Sequence, residues 1–180
     1  MNHKKGVKEM EFREPTIADC DQIEAYRQAF EKNQEVIHGG AGLVESPTAK
    51  DWLEGLADFK TAETVPEGFV PARTYLAIQD QKVVGLLNLR LTLNAYLRQI
   101  GGHIGYSVHP DHRKQGIGSA MLAQSLVKAK QFGLKNVLVT CEEANRASAK
   151  VIENNGGKLT EKAIDPEDGA VICHYWIDLT

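Results

Sequence analysis

Residues 103–132 read HIGYSVHPDHRKQGIGSAMLAQSLVKAKQF, and no other stretch of the chain constrains the fold so tightly. An apolar run ends at His109-Pro110-Asp111. A basic, glycine-containing turn follows, through Arg113, Lys114, Gln115, Gly116, Ile117 and Gly118, and a long amphipathic helix is predicted from Gly116 to about Gln131. A strand that feeds a helix through such a turn presents backbone N–H groups at the helix mouth. Those first N–H groups have no partner inside the helix, the peptide dipoles favour negative charge beside them, and glycines let an anion approach the backbone. Arg113 and Lys114 add positive charge at the same place. The block predicts a cradle for a phosphate-bearing molecule. On these six residues alone, a solvated basic turn opening a surface helix is the competing reading.

The remaining periodicity places this block inside a larger α/β pattern. Strands are predicted at residues 7–13, 72–79, 82–94, 103–109, 136–141, 157–162 and 170–179. The Val137-Leu138-Val139-Thr140 burst is β-rich enough for a central strand. Thr16 and Asp19 have capping-box spacing and open a helix to about Lys32, with Ile23, Tyr26, Arg27 and Phe30 at helical intervals. Thr48 and Asp51 repeat that logic ahead of Trp52, Leu53, Leu56 and Phe59. A last helix spans 145–154 and stops at Asn155-Gly156-Gly157. Loops are predicted at 33–46 and 61–71. The order is strand, two helices, three strands, helix, strand, helix, two strands. It predicts a mixed sheet of about seven strands flanked by helices on both faces, in one domain spanning residues 1–180.

Composition narrows the function classes. The chain has 180 residues with 42% apolar and 25% charged content, which suits an ordinary globular domain with a real core. Its net charge of -3 gives no footprint for nucleic acid. No apolar run is long enough to span a membrane, and charges interrupt the N-terminus before any signal-like segment forms, so a cytoplasmic location is expected. Cys20, Cys141 and Cys173 are scattered, without disulfide or zinc spacing. His103, His109 and His112 lie close in sequence but straddle a strand end and a proline turn, so no metal is expected. A dinucleotide fold would place GxGxxG early in a βαβ unit with an acidic residue about 20 positions on, and no such fingerprint occurs.

The block also carries a resemblance. Arg113-Lys114-Gln115-Gly116-Ile117-Gly118, preceded by Val108-His109-Pro110-Asp111 and followed by Asn145, Ser148, Gly156 and Gly157, resembles the acyl-CoA-binding motif of the GNAT superfamily of N-acetyltransferases. The likeness covers roughly residues 72–163, and more loosely Phe12 to Asp19. It implies the GNAT fold and acetyl-CoA (coenzyme A) as cofactor. It also implies that backbone N–H groups from Arg113 to Gly118 hold the pyrophosphate. Pantetheine would then pair with a strand edge near Tyr106 to Val108, and Asn145 and Ser148 would touch the cofactor arm. Asn145 also reads as an ordinary helix cap, and Tyr106 as a half-buried aromatic.

Two positions depart from the family pattern. The strand that often bears a catalytic Glu has no acidic residue from Gly101 to Pro110. His103 is the preferred general base, because an imidazole near its reference pKa accepts a proton at neutral pH; His109 and bound water are the alternatives. The tyrosine that usually protonates the departing thiolate is replaced by Ile152. Tyr175 on the last strand is the candidate substitute, against ordinary sheet packing. Cys141 reads as inert packing, and Glu142 and Glu143 as either a site for a cationic amine or favourable helix N-terminal acidity. The expected reaction is acetyl transfer to the primary amine of a small-molecule or peptide acceptor by direct attack in a ternary complex. A CoA-binding protein without transfer activity and a non-enzymatic interaction domain stay open as alternatives, and so does assembly as a homodimer.

Overall fold

The run Val83–Leu89 is buried at every position, as a strand covered on both faces must be. It belongs to the centre of a seven-stranded sheet in the computed structural model, which describes residues 9–180. The strands are β1 (Glu11–Arg13), β2 (Ala72–Gln79), β3 (Lys82–Arg90), β4 (Ile104–Val108), β5 (Asn136–Glu142), β6 (Lys158–Ile164) and β7 (Val171–Asp178). Their spatial order is β1-β2-β3-β4-β5-β7-β6. Every neighbouring pair is antiparallel except β4 with β5. The mixed sheet flanked by helices is the predicted architecture.

Local chemistry sets the element boundaries. Asp80 and Gln81 both take left-handed φ values, 48° and 63°, which is the geometry of a two-residue hairpin turn. The helix α1 (Cys20–Asn33) follows a single tight turn at Ile17–Asp19, where the Asp19 carboxylate accepts from both the Thr16 N–H, at 2.7 Å, and its hydroxyl, at 3.0 Å. Thr48 caps α2 (Ala49–Gly55) by accepting from the Asp51 N–H. Two predicted bounds shift. β3 ends at Arg90 rather than 94, because Asn94 Oδ1 accepts from the Leu97 N–H and starts a wide helical turn over Leu97–Gly101. The first predicted strand is described only over Glu11–Arg13, and its residues 7 and 8 lie outside the described part.

The sheet separates two apolar layers. On one face Ile23, Tyr26 and Phe30 of α1 and Trp52 of α2 pack against Leu76, Ile78, Val83 and Leu86. On the other, Ile117, Met121, Leu122 and Ala129 of α3 (Ile117–Gln131) and Ile152 of α4 (Arg146–Asn154) pack against Leu87, Ile104, Val139, Cys173, Tyr175 and Ile177. The Tyr26 hydroxyl lies 2.9 Å from Ser107 Oγ and pins α1 to β4. Among the described residues no helix is long and apolar enough to cross a membrane.

Candidate active site

The site begins as a defect in strand pairing. β3 and β4 form five register pairs, from Leu89–Ile104 to Gly85–Val108. β4 and β5 share one, Ile104–Val139. Just before it, the seam is tightly zipped: the His103 N–H donates to the Leu138 carbonyl at 2.7 Å, and the Leu138 N–H donates to His103 Nδ1 at 2.9 Å. Beyond Ile104 the strands part, and a cleft of about 400 Å³ opens between Gly105 and Tyr106 on one side and Thr140 and Cys141 on the other.

The hydrogen-bond alternation of an antiparallel ladder fixes which groups face this opening. The Arg90 N–H donates to the His103 carbonyl, and the His109 N–H donates to the Val84 carbonyl. The odd-numbered residues of β4 therefore bond to β3, and Tyr106 and Val108 turn their peptide groups to the open edge. Arg113 Nε donates to the Val108 carbonyl at 3.3 Å. The Tyr106 peptide is left facing the cleft.

Of the expected cofactor residues, Tyr106, Asn145 and Ser148 line this cleft, Val108 follows on the same strand, and Arg113 to Gly118 run from the turn into the start of α3. The Tyr106 hydroxyl lies 2.9 Å from Ser148 Oγ, and burial raises its pKa, so the phenol keeps its proton. Asn145 caps α4 by accepting from the Ser148 N–H at 3.1 Å, as its capping reading expected, and also lines the cleft. Cys141 lines the same wall, its thiol pushed up to about 11 by burial first and the neighbouring Cys173 second. A thiol held that high is a poor nucleophile at neutral pH.

The turn ahead of α3 is built as a mouth. Gly116 is the N-cap residue with φ +81°, and no atom lies within 4 Å of where a side chain would begin. The Ala120 N–H donates to the Gly116 carbonyl as the first bond of the helix, so the N–H groups of Ile117, Gly118 and Ser119 precede the internal ladder. Gly118 lies directly over β4: a Cβ there would meet Tyr106 and Val108 at 3.6 Å, an ordinary packing contact. Lys114 is exposed. Arg113 is already engaged, with a 2.5 Å contact to Glu35 and its guanidinium over the Phe30 ring.

The expected acid–base residues stand elsewhere. His103 does not line the cleft. Its ring packs edge-on to Trp176, and burial, reinforced by the charges of Arg90 and Arg98, lowers its pKa to about 4. Its Nδ1 lone pair is spent on the Leu138 N–H, which corrects its reading as general base. His109 sits past the far end of β4, where its Nδ1 accepts from the Asp111 N–H and its ring meets Tyr26 and His112. Tyr175 is buried in the α3–α4 layer, paired with Val139 and Leu159. It too does not line the cleft, which corrects its reading as general acid in favour of sheet packing. Glu143 pairs with Lys162, whereas Glu142 faces the cleft.

Several lining groups were not singled out from the sequence: His38, Gly39, Arg90, Tyr96, Gly105 and Asp165. Gly39 belongs to the loop after α1 and crosses β4 so closely that a Cβ on it would lie 2.1 Å from the Gly105 carbonyl oxygen. No local pattern announces a contact between residues so far apart in the chain.

Comparison with known proteins agrees with this geometry. A family model described as the acetyltransferase (GNAT) family matches residues 24–156. No curated protein matches the sequence significantly. Among solved structures, a ribosomal-protein-S5-alanine acetyltransferase from Vibrio fischeri is 16% identical, with a TM-score of 0.70 over 94% of this chain and 92% of that one. A ribosomal L7/L12 alpha-N-protein acetyltransferase in complex with coenzyme A is 17% identical, with a TM-score of 0.67 over 94% and 93%. A putative acetyltransferase from Salmonella typhimurium, yncA, solved with acetyl-CoA, is 14% identical, with a TM-score of 0.62 over 95% and 94%. At these identities the likeness is one of fold.

Proposed function

Because the chain belongs to the GNAT acetyltransferase family, we propose that it transfers the acetyl group of acetyl-CoA to the primary amine of an acceptor, by direct attack within a ternary complex. The single observation that carries this reading is the parted β4–β5 seam, which opens beside the mouth of α3. One end of that opening offers a helix N-terminus to the pyrophosphate. The other offers the unpaired Tyr106 peptide to the pantetheine arm and to the thioester carbonyl.

In this reading the amine nitrogen attacks the carbonyl carbon, a C–N bond forms, and the oxygen takes up negative charge held by backbone N–H. Collapse of that adduct breaks the C–S bond. The Tyr106–Ser148 hydroxyl pair, 2.9 Å apart on the cleft wall, donates to the departing thiolate in place of the tyrosine that Ile152 replaces. The ammonium first gives one proton to water in the open cleft so that the free amine attacks, and the proton its nitrogen sheds after the C–N bond forms restores the Tyr106–Ser148 pair. The carboxylates of Glu142 and Asp165 at the rim attract the amine while it is still an ammonium.

Two measurements test the proposal. Calorimetry should show CoA binding, and Lys114→Glu should weaken it by roughly 10-fold or more, since it reverses an exposed charge beside the expected phosphates. Acetyl-CoA mixed with a panel of primary amines should release free thiol only when amine is present, with the acetylated amine visible by mass spectrometry. CoA binding without amine-dependent release would leave a binding protein, and no CoA binding would remove the cradle.

A further inference from the structure

We infer that Arg90 forms an anion subsite in the acceptor half of the cleft, so that the acceptor is an amine that also carries a carboxylate, a free amino acid being the simplest case. This rests on the proposed acetyl transfer and specifies its substrate.

Ion pairs elsewhere on the chain set Arg90 apart. Arg13 pairs with Asp19, Arg27 with Glu24, Arg73 with Glu14 and Arg113 with Glu35. Arg90 is half-buried, and among the described residues no carboxylate comes within ion-pair distance of it. Its acceptors are carbonyls: Nη1 donates to Gly101 at 3.0 Å and to Gly102 at 3.4 Å. A desolvated guanidinium without a counter-ion is costly unless an anion joins it, and its planar fork suits a carboxylate. Burial brings its pKa down only to about 10, so it remains a cation at neutral pH.

Arg90 lines the cleft, and both of its carbonyl bonds use Nη1. A Cβ on Gly105 would lie 3.0 Å from Arg90 Nη2. The side chain that a larger residue would place over the guanidinium is missing at the residue that follows the last β4–β5 pair. Gly39 closes on Gly105 from the α1 side without contributing a side chain either. An anion on Arg90 therefore lies beside the opening edge of β4, while Glu142 and Asp165 offer the opposite charge elsewhere on the wall. A cleft with one fixed cation and two carboxylates matches an ammonium and a carboxylate on one small molecule.

The test compares matched acceptors: free amino acids, their decarboxylated amines, their methyl esters, and peptides whose carboxylate is a side chain or the C-terminus. The expected result is a kcat/KM for the amino acid roughly 10- to 100-fold above that for its decarboxylated amine, the range for a charge-assisted bond. The preference should collapse toward unity in Arg90→Gln, which keeps a donor for the Gly101 carbonyl, with turnover of the decarboxylated amine little changed. Preference for peptides over free amino acids would place the recognised carboxylate on a chain. Equal rates for amines with and without a carboxylate in the wild-type protein would overturn the inference, as would an Arg90→Gln variant that loses both substrates equally. Should that variant not fold, the wild-type comparison alone decides. Failure of every amine would instead sink the transferase reading.

Discussion

The two ends of the β4–β5 seam lie a few residues apart and do opposite things. At His103 the seam is zipped by a backbone bond and by an imidazole that takes the Leu138 N–H of β5 into its own lone pair. At Tyr106 the seam is open, and the peptide that a continuous sheet would have paired faces a cleft. Both ends hold buried polar side chains. At the zipped end each polar group is matched by the protein itself, so substitution there acts on stability. At the open end the peptide group awaits a partner from outside, so substitution there acts on turnover.

The largest expected effect probes the zipped end. His103 has a folded pKa of about 4, below its ordinary value near 6.5. The unfolded chain thus binds the proton first. The stability His103 contributes is fully present above about pH 6.5 and is lost as pH falls toward 4, by up to about 3 kcal/mol. Denaturant titrations of wild type and His103→Gln across that window should differ in slope, while kcat near neutrality stays within about threefold. A neutral-pH loss of roughly 10²-fold, the scale of a general base, would move His103 into the chemistry and erase the contrast.

The next effect belongs to the open end. Tyr106→Phe and Ser148→Ala should each lower kcat by roughly 10-fold, short of the full value of a positioned proton donor because water reaches the cleft. The double variant should lose little more than either alone, since the two hydroxyls act as a pair. Melting temperatures should move by only a few degrees. Independent, multiplying losses would dissolve the pair. The smallest effect tests the buried layer beneath both ends: Tyr175→Phe should keep kcat within about threefold, and a hundredfold loss in a folded variant would restore it as the acid.

These contrasts show why the sequence carried the fold further than the site. The apolar run placed β2 at 72–79, and helical spacing with the Gly133 stop placed α3 up to Gln131, because each signal is local. The motif at Arg113 to Gly118 located the helix mouth because an apolar run ending at His109-Pro110-Asp111 leads into it and a helical pattern leads out. The roles of single residues needed the third dimension. His103 immediately precedes the short strand that carries Tyr106, and only the point where β5 departs decides which of them is structural. Arg90 gains its meaning from an absent counter-ion, and Gly39 from a residue far along the chain that it touches. Neither has a signature in a window of neighbours.

The placement of β7 between β5 and β6 leaves β6 as the terminal strand of the sheet. Such a strand presents unpaired N–H and C=O groups that could recruit another chain into a growing ladder. Here Lys158 and Lys162 project from an almost wholly exposed β6, and its register slips between Leu159 and Glu161. Charge and irregularity together make it a poor template. That edge is guarded against edge-to-edge pairing while the sheet keeps a broken seam in its middle.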